Sequence, residues 1–509
     1  MYSAVTKHRL KNPQVGSNSR PTLLVAVLRG AVTLAVLSAL LTFAVRPAQA
    51  QTESVLYNFT GTPDGANPYS SLTFHGGNIF GTTYKGGLYG SGTVFELTPN
   101  GTGGWQESVL YNFCPAAPSC ADGQNPMFTK VIFDALGNLY GAAFNGGALG
   151  NGVIFQLSPS GSTWNYNVLY SFKGQPDGAN PVNGLAMDAA GNIYGAAYSG
   201  GGGDNGGVFQ LSPSTGGGWT EQMIASLPTS VAGLTIDSSG NIYGTSTTGV
   251  YKIVPTGNNN WFLSTIFTFA ATLQGTTPNG TPFLDSAGNI YGTTLAGGKN
   301  NKGVVYKLTK GTTKYTERIL YSFGSNGTAP YGGVVVDATG NVYGATTAGG
   351  KNGAGVVYEL AFNGTTYAEK PLQPFIGENG AVSYSTLVLD SANYLYGTTF
   401  YGGSSGQGAV FEVNPHAAVT TLSCVSSQNP SANGQAVTFT ATITSKNGPP
   451  PDGEIIVFEP VGQAAMVGGV ATYTTSALAV GKTKITAVYD GDLNFITSRS
   501  TSFFQVVNP

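Results

Sequence analysis

Charge is what this chain has least of. Asp, Glu, Lys and Arg together make up 9% of its 509 residues, against roughly a quarter in an ordinary globular protein. That scarcity excludes a coiled coil and a charge-driven disordered segment, and the 11% of aromatic residues is too rich for disorder of any kind. Histidine is almost as scarce. Beyond residue 50 only His75 and His416 occur, in different regions, so a Ser-His-Asp arrangement finds no support. The 3 cysteines show no zinc spacing. After residue 50 no apolar run is long enough to cross a bilayer.

The one long apolar run, Ala31 to Val45, follows Arg29 and precedes Ala48-Gln49-Ala50. No Asp or Glu lies in the first 50 residues, while Lys7, Arg9, Lys11, Arg20, Arg29 and Arg46 do. This layout predicts a secretory signal peptide over residues 1–50, cleaved after Ala50. Six of the 22 basic residues leave with it, so 16 remain against 24 acidic ones, a net charge of −8. A mildly acidic chain with sparse Lys and Arg offers no footprint for nucleic acid. In an oxidising compartment, Cys114 and Cys120 are spaced for a local disulfide, and Cys424 reads as a small apolar residue.

What the chain does have is glycine, 75 residues of it, placed with a period. The anchor Gly-Asn-apolar-aromatic-Gly ends at Gly81, Gly141, Gly195, Gly244, Gly292 and Gly344, with a diverged copy, Asn393-Tyr394-Leu395-Tyr396-Gly397. The closing glycines are 48 to 60 residues apart, a period that suits propeller blades. Each unit contains four strand candidates, a to d. Strand a ends in a turn opened by Asp134, Asp188, Asp237, Asp285 or Asp337, where Asp, Asn and Gly are the expected residues. An aromatic residue begins each strand d, and all four tryptophans are used there; repetition at such a junction points to packing.

Six units carry a strand d, but seven carry a, b and c. The missing copy is Glu53–Phe59, nearly identical to Glu107–Phe113. The expected fold is therefore all-β: a seven-bladed β-propeller over residues 51–416, closed by the N-terminal strand, which removes the open sheet edges. From about 417 to 509 the pattern changes to Thr/Val alternation, which predicts an Ig-like β-sandwich.

The repeat Gly-Asn-Ile-Tyr-Gly-Thr-Thr, then Gly-Gly, then Gly-Val-Val-Tyr-x-Leu resembles the GloVer tandem-repeat family of "choice-of-anchor" secreted bacterial proteins. Ala487–Phe495 resembles bacterial Ig-like repeats of surface proteins. The resemblance implies export and surface display, and brings no established activity and no catalytic residues.

For function, the loops b–c and d–a are the expected ligand face. Strand b ends in Tyr84, Phe144, Tyr198 and Phe400 in four of seven units, with Tyr89 and Tyr401 nearby. Such an aromatic rim suits glycan rings, and blade-to-blade packing is the competing reading. Asp64, Asp122 and Asp177 in the Asp-Gly loops are weak calcium candidates, because one carboxylate per blade is few ligands and Asp-Gly is an ordinary turn pair. No cofactor and no catalytic residue is assigned. The expected protein is a monomeric, non-enzymatic binding or scaffold protein, secreted or at the cell envelope, with a glycan or an extracellular protein as partner. A propeller lyase or lactonase, and a purely structural envelope protein, are the alternatives.

Overall fold

The computed structural model describes residues 53–101, 104–229, 231–270 and 272–509. The expected signal peptide lies outside the described residues. Among those described, no helix is long and apolar enough to cross a membrane.

Seven four-stranded antiparallel sheets follow one another along the chain. Blade one runs Thr73–His75, Asn78–Thr83, Thr93–Pro99 and Trp105–Asn112 as strands a to d. Blade three runs Gly178–Met187, Ile193–Gly200, Gly207–Pro213 and Trp219–Ser226. Blade seven takes a to c from Val388–Leu389, Leu395–Thr399 and Ala409–Val413. Its fourth strand is Glu53–Asn58, antiparallel to Ala409–Val413 with Ser54 opposite Glu412. Two further links span the seam between blades seven and one: Thr398 Oγ1 donates to Ser70 O at 3.0 Å and Thr386 N to Ser71 Oγ at 2.9 Å.

The anchor motif explains itself locally. In blade two, Asp134 Oδ1 accepts from the backbone N–H of Leu136 and Asn138, and Oδ2 accepts from Asn138 Nδ2 and Tyr140 OH. The same four bonds recur at Asp188 and Asp237. One carboxylate thus closes the a–b turn and fixes the strand-b aromatic. That ring then packs on the aromatic that begins strand d of the next blade: Phe80 on Trp164, Tyr140 on Trp219, Tyr194 on Trp261. The tryptophans are blade-to-blade contacts, as their repetition implied.

The closing glycine of each anchor makes room for strand c. A Cβ on Gly195 would fall well under 3.0 Å from Phe209 Cζ, and the same ring clash recurs at Gly81 with Phe95 and Gly397 with Phe411. These rings are 0% exposed and build the cores between strands.

Residues 420–508 form a curled nine-stranded sheet. Val437, Phe439, Ala441 and Ile443 alternate inward along Val437–Ser445 and pack with Phe458, Met466 and Ile485, so the Thr/Val alternation is a one-sided core pattern. Cys424 is half-buried against that core, and burial raises its thiol pKa to about 11. The diverged anchor of blade seven has a use here. Tyr394, where other blades carry Asn, donates its hydroxyl to Asn494 Oδ1 at 3.1 Å, and Asn414 Nδ2 donates to the same oxygen at 3.1 Å. Ala418 N and Ile496 N complete the junction by bonding Asn494 O and Ala418 O.

Candidate functional site

The loops entering blades one, two and three share Asp-Gly-x-Asn-Pro, and each polar residue has a defined partner. Asp64 accepts from Tyr57 OH at 2.7 Å and from Thr60 Oγ1 at 2.8 Å. Asp122 accepts from Tyr111 OH and Cys114 N, and Asp177 from Tyr170 OH and Lys173 N. The three calcium candidates therefore sit one per blade, each occupied by a strand-d tyrosine and a loop N–H. Among the described residues no group of three or more His, Cys, Asp or Glu side chains converges. Cys114 and Cys120 are joined as a disulfide in the loop entering blade two.

The asparagine of the same motif is a latch. Asn67, Asn125 and Asn180 adopt φ of 55°, 54° and 57°, a left-handed conformation that Asn tolerates better than most residues. Their side-chain amides donate to the carbonyls of Phe400, Tyr84 and Phe144 at 2.9–3.0 Å. Those carbonyls belong to the residues that immediately follow strand b of the preceding blades, which are the rim positions themselves. Each loop thus holds the rim residue of its neighbour.

The structure brings Tyr84, Phe400 and Tyr401 together. Phe400 lies 4.5 Å from Tyr401 and 6.4 Å from Tyr84, and Lys85 Nζ stands 5.6 Å over the Tyr84 ring. Phe144 and Tyr198 form a separate pair at 6.4 Å, while Tyr89 stands apart from both groups without a ring contact. Tyr89, Tyr198 and Tyr401 are about half exposed, at 49%, 50% and 51%.

Four further aromatic residues belong to this region. Tyr69, Phe128, Tyr331 and Tyr384 form a closed quartet: Tyr69–Phe128 at 4.1 Å, Phe128–Tyr331 at 5.3 Å, Tyr331–Tyr384 at 5.0 Å and Tyr384–Tyr69 at 4.3 Å. Phe400 leans on it, 4.8 Å from Tyr69. Burial pushes the Tyr331 hydroxyl up to about 12 and Tyr69 higher still. A sequence signal for the quartet exists. Each member lies three residues before the buried apolar residue of its strand-a segment: Leu72, Val131, Val334 and Leu387. The quartet lines a cavity of about 90 Å³ together with Ser71, Lys130, Asn183, Thr281 and Thr386.

Outside this region, Glu107 and Glu221 in the strands d of blades one and three each bury a carboxyl oxygen without a protein partner among the described residues. Burial, and then the charge of Asp64, pushes Glu107 up to about 7. Burial, then the charge and hydrogen bond of Asp177, pushes Glu221 up to about 8. Asp134, Asp237 and Asp337 move the other way: burial alone would raise them, but the turn's donors outweigh it and hold them below the ordinary carboxylate range. The signs define a window. The raised glutamates bind protons more tightly in the folded state, so stability falls as pH climbs from about 4.3 through 7 and 8. The depressed aspartates lose their contribution as pH drops below about 3.9. Urea midpoints measured from pH 3 to pH 9 are expected to peak near pH 4–5. Glu221→Gln should flatten the alkaline limb, and a midpoint constant between pH 5 and 8 would contradict the assignment.

No curated protein sequence matches the chain. Solved structures similar to it include streptogramin B lyase, at 16% identity and TM-score 0.47, covering 71% of this chain and 97% of the other. Virginiamycin B lyase from Staphylococcus aureus is similar at 12% identity and TM-score 0.46, covering 71% and 98%. The extracellular domain of a hybrid two component system from B. thetaiotaomicron matches at 12% identity and TM-score 0.46, covering 90% of this chain and 58% of that one. The Gloeobacter/Verrucomicrobia repeat model matches residues 104–252 and 247–448, and the bacterial Ig-like domain (group 3) model matches residues 424–508. With more than half of its length matched, the chain belongs to the Gloeobacter/Verrucomicrobia repeat family and ends in a group 3 bacterial Ig-like domain.

Proposed function

We propose that this chain is a non-catalytic glycan-binding protein, secreted or held at the cell envelope, and that the aromatic rim of the propeller is its recognition surface. One observation carries the reading: Phe400 and Tyr401 form a neighbouring aromatic surface with Tyr84, backed by the quartet and held by asparagine latches, in a region with few charges. Apolar ring faces stack against the C–H faces of sugars, and such a contact does not depend on charge. Rigid support matters as much, because a surface already in place loses little entropy on binding. The signal-peptide pattern and the C-terminal Ig-like domain support an extracellular or envelope location. The lyase or lactonase alternative would need a convergent set of acids or histidines in this region, and the rim consists of aromatic and amide groups.

A glycan array, run with and without calcium, tests the reading. The expected result is binding of at least one glycan with no dependence on calcium. Tyr401→Ala removes a half-exposed aromatic anchor and should weaken that binding about 30-fold, the equivalent of roughly 2 kcal/mol, with an unchanged melting temperature. Turnover of a glycan or lactone by the chain would overturn the non-catalytic assignment, and binding untouched by Tyr401→Ala would overturn the rim.

A further inference from the structure

Lys130 occupies a position where no other blade carries a charge. It lies one residue before the buried apolar residue of strand a, and the other blades place Ser71, Gly184, Gly233, Thr281, Gly333 and Thr386 there. Its side chain lines the same cavity as the aromatic quartet. The residue is exposed, and desolvation by the surrounding protein lowers the pKa of its ammonium. The described residues form two ion pairs, Lys370–Glu359 and Arg499–Glu459. Among them, no carboxylate or hydrogen-bond acceptor engages Lys130.

Two more donors face the same space. Asn183 follows a register break in strand a of blade three, between Val182 and Leu185, and has φ of 58°. Thr281 lies in the corresponding break of blade five, between Asn279 and Phe283. Such bulges re-aim side chains, and both residues line the cavity. Among the described residues, neither the Asn183 amide nor the Thr281 hydroxyl has a hydrogen-bond partner. The cavity therefore gathers one cation and two neutral donors with no anion to balance them.

We infer that the cavity lined by the quartet is a binding site for a single carboxylate, with Lys130 as its counter-charge and Asn183 and Thr281 as hydrogen-bond donors to its oxygens. Partial desolvation strengthens the attraction between an unpaired cation and an anion, and one carboxylate neutralises Lys130 charge for charge. The limited volume selects a small acid, or the acidic end group of a larger molecule. The site is separate from the rim, and the two stand or fall independently.

Calorimetric titration with glycolate, glycerol, inorganic phosphate and a glucuronate-terminated disaccharide tests this. Glycolate is expected to bind and glycerol to remain inert. Equally tight binding of the disaccharide identifies the acidic end of a glycan as the ligand; glycolate binding alone identifies a free small acid. Lys130→Met should weaken binding about tenfold, the lower end of the scale for losing a hydrogen bond to a charged group. Without ligand, the same variant should melt within about 1 °C of the wild type, because an exposed side chain is replaced. Asn183→Gly suits the left-handed backbone and should fold normally while binding about tenfold more weakly. Tyr401→Ala should leave glycolate binding unchanged. No binding of either carboxylate by the wild type, preference for phosphate, or undiminished binding by Lys130→Met would overturn the proposal.

Discussion

Phe59→Ala is expected to destabilise the protein by about 3–5 kcal/mol, as much as Phe113→Ala. Both rings are 0% exposed and occupy the same register, immediately after a strand d. Phe113 follows blade one's own outer strand and packs against Phe155 at 5.3 Å. Phe59 follows a strand more than 300 residues away in sequence from the rest of its sheet, and packs against Phe95 at 5.1 Å. Its cluster draws on blade one through Leu72, Ile79 and Leu97 and on blade seven through Tyr396 and Val410, so this one side chain packs against both blades. An unpaired segment near a chain end would fray, and truncating a frayed side chain costs little. A loss under about 1 kcal/mol for Phe59→Ala, beside the full loss for Phe113→Ala, would mean that Glu53–Asn58 does not close the ring in solution. Deleting residues 51–59 extends the test. It should expose Ala409–Val413 as an open edge, lower the melting temperature sharply and promote association of the protein with itself.

Gly195→Ala has the second largest expected effect, a loss of about 1–3 kcal/mol from overpacking. The backbone at Gly195 is ordinary strand; what the site lacks is space. An added methyl would press on Phe209 Cζ and come within 3.0 Å of Leu185 Cδ2. Phe209 is fully buried and cannot swing away. Phe209→Leu shortens the obstructing ring and leaves a gap of its own, so the two changes should compensate. Gly195→Ala/Phe209→Leu is expected to cost at least about 1 kcal/mol less than the sum of the single variants, measured by urea unfolding. Strict additivity would refute the contact. Gly191, the first glycine of the same pentapeptide, is required for a different reason. It has φ of 82° and nothing within 4 Å of a would-be Cβ, so its substitution strains the turn while leaving the packing untouched.

That pair of glycines shows how far the sequence could be read. Both appear as one repeated letter, and the repeat alone was enough to infer a turn, a strand and a period near 50. The same holds for the turn aspartates, the tryptophan contacts and the displaced strand at Glu53. Each belongs to a unit built from residues close in the chain, and repetition displays the unit seven times over. The placement of Tyr84, Phe144, Tyr198 and Phe400 near the end of strand b was legible for the same reason: the strand is repeated.

What lay between blades was not legible. The Asp-Gly-x-Asn-Pro loops read as turns or weak calcium ligands, because nothing local shows that Asn67 reaches the carbonyl of Phe400 across 333 residues. The Tyr394 substitution read as decay of the repeat until its hydroxyl met Asn494 of the Ig-like domain. The quartet joins blades one, two, six and seven, and Lys130 is one lysine among many until the ring closes around it.

The sequence by itself determined the repeat unit, its strands and turns, the number of blades and the change of module near residue 417, because short-range hydrogen bonds and side-chain alternation govern all of these. Only the tertiary structure decided which side chains share the cavity, which glutamates lie beside aspartates and which rings stack. Those contacts arise where neighbouring blades are rotated about one axis, and that rotation brings together residues whose separation along the chain carries no trace of their proximity.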